Sequence, residues 1–176
     1  MSGLNKGLRK IEVALRWDPS PSGTPANDLD IVAATYTADA PNGEPAYLVH
    51  FDSRSPDGTI TLNRDSRTGQ GFGADEVMTL ELDRLSTSYI RVVVGVAIQQ
   101  REGRKTFGEV ANTDVRFREN GLEFARCDFS GVSGSTAVTL AEFTRDNAGA
   151  WEFRQAVRGF DTEPAAFAGL MGGPAA

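Results

Sequence analysis

Hydrophobic and polar residues alternate along much of the chain with a period of two. In two segments every second residue is apolar: Ile11, Val13, Leu15 and Trp17 in the first, and Met78, Leu80 and Leu82 in the second. This spacing is typical of a strand with one buried face. Eight further runs rich in β-branched and aromatic residues predict strands over residues 29–37, 47–51, 59–62, 89–99, 113–118, 122–128, 136–144 and 151–157. Turn sequences such as Asn42-Gly43 and Asn120-Gly121 separate several of these runs.

About ten short strands separated by turns predict an all-β fold, specifically a two-sheet β-sandwich. The 176 residues are close to the usual size of one domain, so we expect a single domain over residues 1–176. Helical periodicity is weak, and the one segment that favours a short helical tail is 165–171. We expect the sandwich core to include four large aromatic residues: Trp17, Phe143, Trp151 and Phe153.

Apolar stretches and cysteine content indicate where in the cell the protein is located. The longest uncharged apolar stretch, residues 92–98, is far shorter than the ~20 residues that cross a bilayer, and residues 1–10 contain no apolar segment typical of a secretion signal. Membrane insertion and secretion are therefore not expected. Cys127 is the single cysteine, which excludes an intramolecular disulfide and a cysteine-based zinc site within one chain. We expect a cytoplasmic protein whose one thiol is buried as a small hydrophobic group.

Negative charge is concentrated in one part of the chain. The formal net charge is −6, and residues 27–83 contain eleven acidic residues against three arginines. Such a segment repels the phosphates of nucleic acids, so DNA or RNA binding is not expected. A cation is the more plausible partner.

Asp28 and Asp30 form the first candidate for a metal site. On a strand, residues two apart point to the same side, so both carboxylates share one face while Leu29 and Ile31 occupy the other. A pair of carboxylates on one face offers oxygen ligands to a hard cation. A solvated strand face explains the same pattern.

The second candidate is the glycine-rich loop from Asp65 to Glu76, which also contains Asp75. Its alternate glycines, Gly69, Gly71 and Gly73, allow the backbone to turn carbonyl groups inward between the acidic ends. A hard cation such as Ca²⁺ takes about six to eight oxygen ligands and suits such a loop. It is not an EF-hand, because Arg67 stands at a ligand position and Gln70 at the glycine position of that motif. A flexible connection is the alternative.

An ordered set of short motifs resembles the TerD family of tellurium and stress resistance proteins. The set runs through Trp17-Asp18, Asp28-Leu29-Asp30, Ser55-Pro56-Asp57-Gly58, the acidic glycine-rich loop, Phe107-Gly108-Glu109-Val110 and Trp151-Glu152-Phe153-Arg154. The resemblance implies a two-sheet β-sandwich in a cytoplasmic bacterial protein, with Ca²⁺ bound by acidic loops at one end. It implies no established enzymatic activity. It further implies a part in resistance to tellurite or other chemical stress within larger assemblies.

Carried onto this sequence, the resemblance assigns six acidic residues to calcium. They are Asp28, Asp30, Asp52, Asp65, Asp75 and Glu76. Three positions at which the family usually has an acid are Ala26, Phe72 and Ala74 here. Each missing carboxylate removes charge and ligand oxygens, which argues for fewer or weaker sites.

The family's usual first strand has no counterpart before the segment that begins at Gly7. Its loss predicts an open sheet edge that can accept a strand from a partner protein or from a second copy of the chain. Coverage of the edge by residues 5–10 and the C-terminal tail is the alternative.

Two functions follow from these observations. The first is a non-enzymatic Ca²⁺-binding stress-response module that presents a calcium-ordered surface to partners or to itself. The second is a constitutive assembly subunit with a weakened or lost metal site. An enzyme that uses paired carboxylates as acid and base is the least favoured interpretation.

Overall fold

The structure is a computed structural model that describes residues 7–70, 73–100 and 103–173. Ten strands and one α-helix account for most of this part of the chain. The strands are β1 (Lys10–Arg16), β2 (Leu29–Thr37), β3 (Tyr47–Val49), β4 (Ile60–Arg64), β5 (Glu76–Glu81), β6 (Tyr89–Ile98), β7 (Asp114–Glu119), β8 (Leu122–Asp128), β9 (Ala137–Arg145) and β10 (Trp151–Phe160). The helix is α1 (Pro164–Leu170). The predicted all-β fold with a short helical tail is confirmed.

The strands form two antiparallel five-stranded sheets that pack face to face. The order is β4-β5-β1-β7-β8 in the first sheet and β10-β9-β6-β2-β3 in the second. Alternate residues of β1 and β5 point into the space between the sheets, where Ile11, Val13 and Leu80 are fully buried. One detail differs from the alternation pattern: β5 ends at Glu81, and the buried Leu82 opens a short 3₁₀ turn.

Strand β2 is buried on both of its faces. Leu29 and Ile31 belong to the core between the sheets, whereas Val32 and Tyr36 face outward and pack under α1. Helix α1 covers this outer face with Phe167, which is fully buried. A sequence that reads as almost continuously apolar is the expected pattern for a strand in this position.

Arg91 fixes the chain after α1 onto the second sheet. Its guanidinium donates to the carbonyl oxygens of Pro41 and Gly172, both at 2.8 Å, and pairs with Glu142 at 2.8 Å. No helix among residues 7–70, 73–100 and 103–173 is long and apolar enough to cross a lipid bilayer.

The edge strands of the two sheets are the places where a strand from a partner could pair. Strands β4 and β8 flank one sheet, and β10 and β3 flank the other. The segment before β1 meets the start of β10, because the Leu8 N–H donates to the Trp151 carbonyl at 2.9 Å. Residues 1–6 lie outside the described residues, and docking of a partner at an edge stays a prediction.

Candidate metal centre

Three carboxylates from separate parts of the chain meet at one point of the sandwich. They belong to Asp30 in β2, Asp65 directly after β4, and Glu76 at the first position of β5. One carboxylate oxygen of each lies within 4.8 Å of the others. Asp30 and Glu76 are almost fully buried, at 3% and 0% exposure, and Asp65 is exposed. The cluster is therefore a buried pair of acids with one acid on its solvent side.

Glu76 joins the two sheets. Its Oε1 accepts the backbone N–H of Ile31 at 2.8 Å, although Glu76 belongs to the first sheet and Ile31 to the second. Its other oxygen, Oε2, is buried and has no hydrogen-bond partner within the part of the chain that the structure describes. A buried carboxylate oxygen without a donor is unfavourable unless a cation or a proton satisfies it.

Burial and the neighbouring acids also shift the pKa of Glu76. Burial raises this pKa far above its ordinary value of 4.5, and the neighbouring acids Asp65 and Asp30 raise it further. Burial also raises the pKa of Asp30, although the Gln99 amide opposes the shift by donating to its Oδ2 at 2.5 Å. Without a cation, Glu76 therefore favours its protonated form.

The donor set fits a hard cation. Calcium binds oxygen at about 2.3–2.6 Å, so two oxygens on one ion lie at most about 5 Å apart. The carboxylate oxygens of the cluster meet this limit. Asp30, Asp65 and Glu76 would hold the ion, and waters would complete its coordination.

The other predicted ligands lie outside this group of three. The Asp75 Oδ2 accepts the backbone N–H of Trp17 at 2.8 Å, so this carboxylate caps the end of β1. Asp28 is buried, and its backbone carbonyl accepts the Gln99 N–H at 2.9 Å. Asp52 is exposed in a tight turn, where its N–H donates to Nδ1 of His50 at 3.2 Å. Metal binding by Asp28, Asp52 and Asp75 stays a prediction.

Two of the three clustered acids are on strands. Asp30 and Glu76 are therefore positioned by the sheets, and only Asp65 belongs to a connecting segment. Gln99, which holds Asp30, was not among the predicted site residues. The sequence carried no signal for this contact: the register sets Ile98 opposite Leu29 and so places the Gln99 backbone beside Asp28, and only the Gln99 side chain reaches Asp30.

Trp17 connects the glycine-rich loop to the segment before β2. Its indole N–H donates to the Asn27 carbonyl at 2.8 Å, and its ring lies directly against Gly69. A Cβ atom at position 69 would lie 2.5 Å from the indole nitrogen, and the φ of +78° also disfavours a side chain there. Glycine is therefore required at position 69 both by backbone conformation and by close packing.

Replacing Gly69 with alanine is expected to destabilise the fold by about 1–3 kcal/mol, because strain and a clash with Trp17 add. Gly73→Ala is the matched control, since Gly73 has a φ of +76° but a Cβ atom added there would meet no heavy atom of the described residues within 4 Å. Urea unfolding followed by tryptophan fluorescence measures both losses. Equal losses in the two variants would show that contact with Trp17 contributes nothing.

The single thiol takes no part in the cluster. Cys127 is 2% exposed, as expected from the sequence, and belongs to the core between the sheets. Burial raises its pKa to about 11. A buried, protonated thiol is a poor nucleophile and a poor metal ligand.

Comparison with known proteins identifies the family. The TerD domain matches residues 1–169 of the chain. Over 158 residues the chain is 30% identical to the tellurium resistance protein TerD of an Alcaligenes species, which covers 87% of this chain and 82% of that protein. Over 159 residues it is 28% identical to general stress protein 16U of Bacillus subtilis (strain 168), which covers 85% of this chain and 80% of that protein.

Solved structures share the fold over nearly the whole chain. A homologue of the telluride resistance protein TerD from Streptomyces coelicolor A3(2) has a TM-score of 0.92 and 58% identity, covering 96% of this chain and 100% of that one. A crystal structure of a protein of unknown function has a TM-score of 0.94 and 60% identity, covering 96% of this chain and 99% of that one. The sequence motifs, the sandwich and these matches agree, and the chain belongs to the TerD family.

Proposed function

We propose that this protein is a non-enzymatic, cytoplasmic Ca²⁺-binding module of the bacterial stress response. The observation that carries the proposal is the buried Glu76 carboxylate, whose Oε2 has no hydrogen-bond partner among the described residues and which lies beside Asp30 and Asp65. A divalent cation at this point neutralises charge that burial otherwise disfavours. The names of the relatives, a tellurium resistance protein and a general stress protein, support a role in chemical stress.

Calcium binding acts here by ordering a surface. Asp65 leads into the glycine-rich loop, and that loop packs against Trp17 through Gly69. An ion shared by Asp65 and the two buried acids therefore fixes the start of the loop relative to both sheets. The ordered surface is the part of the molecule that we propose to contact a partner protein or a second copy of the chain.

A thermal melt tests the proposal directly. At a free ligand concentration of about 100 times the dissociation constant, binding adds ~2.7 kcal/mol to the free energy of unfolding. Each kcal/mol shifts the Tm of a chain of this size by roughly 2–4 °C. We expect Ca²⁺ to raise the Tm by about 5–10 °C above its value in EDTA, and Mg²⁺ to raise it less. The absence of any Ca²⁺-dependent shift would contradict the proposal.

The second candidate function is a constitutive assembly subunit that does not depend on a metal. Edge strand β8 favours it, because Leu122 and Phe124 are 75% and 40% exposed on that strand. Size-exclusion chromatography with light scattering separates the two functions. Assembly that is the same in Ca²⁺ and in EDTA supports the constitutive subunit, whereas assembly that requires Ca²⁺ supports the calcium module.

A further inference from the structure

A cavity of about 480 Å³ lies on the outer face of the second sheet, between α1 and the tight turn that follows β3. Val32 and Ala97 form its floor, Leu48 and Phe51 line one side, and Ala165 and Ala168 of α1 line the other. Its volume falls within the range of about 300–1,000 Å³ that is usual for small-molecule sites. Its lining combines these apolar side chains with polar and charged groups, which are what give such a site its specificity.

The charged groups of the cavity are all acidic. Asp30, Asp52 and Glu163 line it, and no lysine or arginine does so among the residues that the structure describes. Arg104 lines a neighbouring cavity, but its guanidinium is engaged with Asp161 at 3.0 Å and with the Gly134 carbonyl at 2.9 Å. The cavity therefore offers negative charge that no described basic side chain of its lining neutralises.

The uncharged polar groups do not change this balance. Gln100 is bonded to the backbone of Lys105 through both its amide nitrogen and its oxygen. The Nδ1 of His50 lies 3.2 Å from the Asp52 N–H and serves as the acceptor of that hydrogen bond. The charge of the cavity thus complements a cationic ligand.

We propose that this cavity binds a small aliphatic primary ammonium compound. The ammonium group lies between Asp52 and Glu163 at the exposed end, next to Asp30, and donates hydrogen bonds to these carboxylates. The aliphatic stem covers Val32, Leu48 and Ala168. This site is separate from the metal cluster, but the two share Asp30.

The shared residue couples the two sites. A divalent cation held by Asp30 removes negative charge from the cavity and engages a carboxylate that the ammonium group also approaches. Ca²⁺ should therefore weaken ammonium binding, and the ammonium compound should weaken Ca²⁺ binding by the same factor. This coupling, unlike ammonium binding itself, rests on the proposed calcium function.

Titration with hexylamine and 1-hexanol, followed by amide NMR shifts in EDTA at pH 7, tests the ligand class. The two probes share a stem and differ in charge. One hydrogen bond to a charged group changes an affinity by about tenfold or more, so hexylamine is expected to bind at least about tenfold more tightly than hexanol. Shifts should centre on residues 48–52 and 163–168. Equal affinities, or no binding of hexylamine, would overturn the proposal.

Two pairs of variants test the location. Ala168→Leu fills the cavity and should abolish hexylamine binding, whereas Ala166→Leu changes an exposed helix position outside the cavity lining and should not. Asp52→Asn with Glu163→Gln removes two charges at the cavity and should weaken binding at least about fivefold. Asp39→Asn with Glu152→Gln removes two charges at exposed positions elsewhere. Equal effects within either pair would overturn the assignment.

A final titration repeats the hexylamine measurement at saturating Ca²⁺. Coupling free energies of the usual size predict a loss of affinity of at least about fivefold. Hexylamine affinity that is unchanged by Ca²⁺, in a protein that binds both, overturns the coupling and leaves ammonium binding supported by the EDTA data. If Ca²⁺ itself does not bind, the proposed calcium function is wrong. The titration in EDTA still tests whether the cavity binds the ammonium compound.

Discussion

Glu76→Gln is expected to stabilise the metal-free protein and to abolish its response to Ca²⁺. Glutamine keeps an oxygen that can accept the Ile31 N–H, and it removes a buried acid that lies beside two others. Unfolded glutamate has its ordinary pKa of 4.5, whereas burial raises the folded pKa beyond neutral pH. Folding at pH 7 therefore includes the uptake of a proton, which costs about 3 kcal/mol at about 1.36 kcal/mol per pH unit.

The pH dependence of this effect has a definite sign. An acid with a raised folded pKa binds more protons when folded, so the stability of the metal-free protein falls as pH rises above 4.5. We expect no advantage for the glutamine variant near pH 4 and an advantage of about 3 kcal/mol at pH 7, measured by urea unfolding in EDTA. Glu152→Gln, at an exposed position, is the control. A glutamine variant that retains the full Ca²⁺-dependent rise in Tm would exclude Glu76 as a ligand.

Phe167→Ala is expected to lower the free energy of unfolding more than Gly69→Ala does. The ring is fully buried under α1, and it occupies space that Gly95 leaves free, since a Cβ atom there would lie 2.8 Å from the ring. Truncating a buried phenylalanine costs about 3–5 kcal/mol. For a chain of this size, the Tm should fall by about 6–20 °C.

Leu170→Ala is the matched control for the helix. Leu170 lies in the same helix but is 46% exposed, so its truncation should change stability by less than about 0.5 kcal/mol. Circular dichroism during thermal unfolding compares the two variants. Similar losses would show that α1 contributes through its helical backbone and not through the packing of Phe167 on the second sheet.

Alternation and runs of β-branched and aromatic residues were sufficient to predict the strands but not the covering of the second sheet. The predicted bounds of β2 and β8 match the structure at both ends. The pattern did not show that β2 is buried on both faces, because the outer cover comes from Phe167, far along the chain. Period alone tells which residues share a face, and only the packing tells what each face contacts.

The same reason explains how far the metal site could be predicted. Asp75 and Glu76 are adjacent acids, and nothing in the sequence distinguishes one from the other as a metal ligand. Strand geometry directs neighbouring side chains to opposite faces, so Asp75 meets the Trp17 backbone while Glu76 enters the space between the sheets. The pairing of β5 with β1, which sets Glu76 opposite Leu15, decides this outcome and is not visible in the acidic pattern itself.

The bond from Glu76 to Ile31 has a consequence for the rate at which the protein unfolds. Because this carboxylate belongs to one sheet and contacts the backbone of the other, the two sheets cannot separate while a cation holds Asp30 and Glu76 together. Release of the ion then becomes part of the unfolding barrier. A bound cation would therefore lengthen the lifetime of the folded state even where its effect at equilibrium is modest.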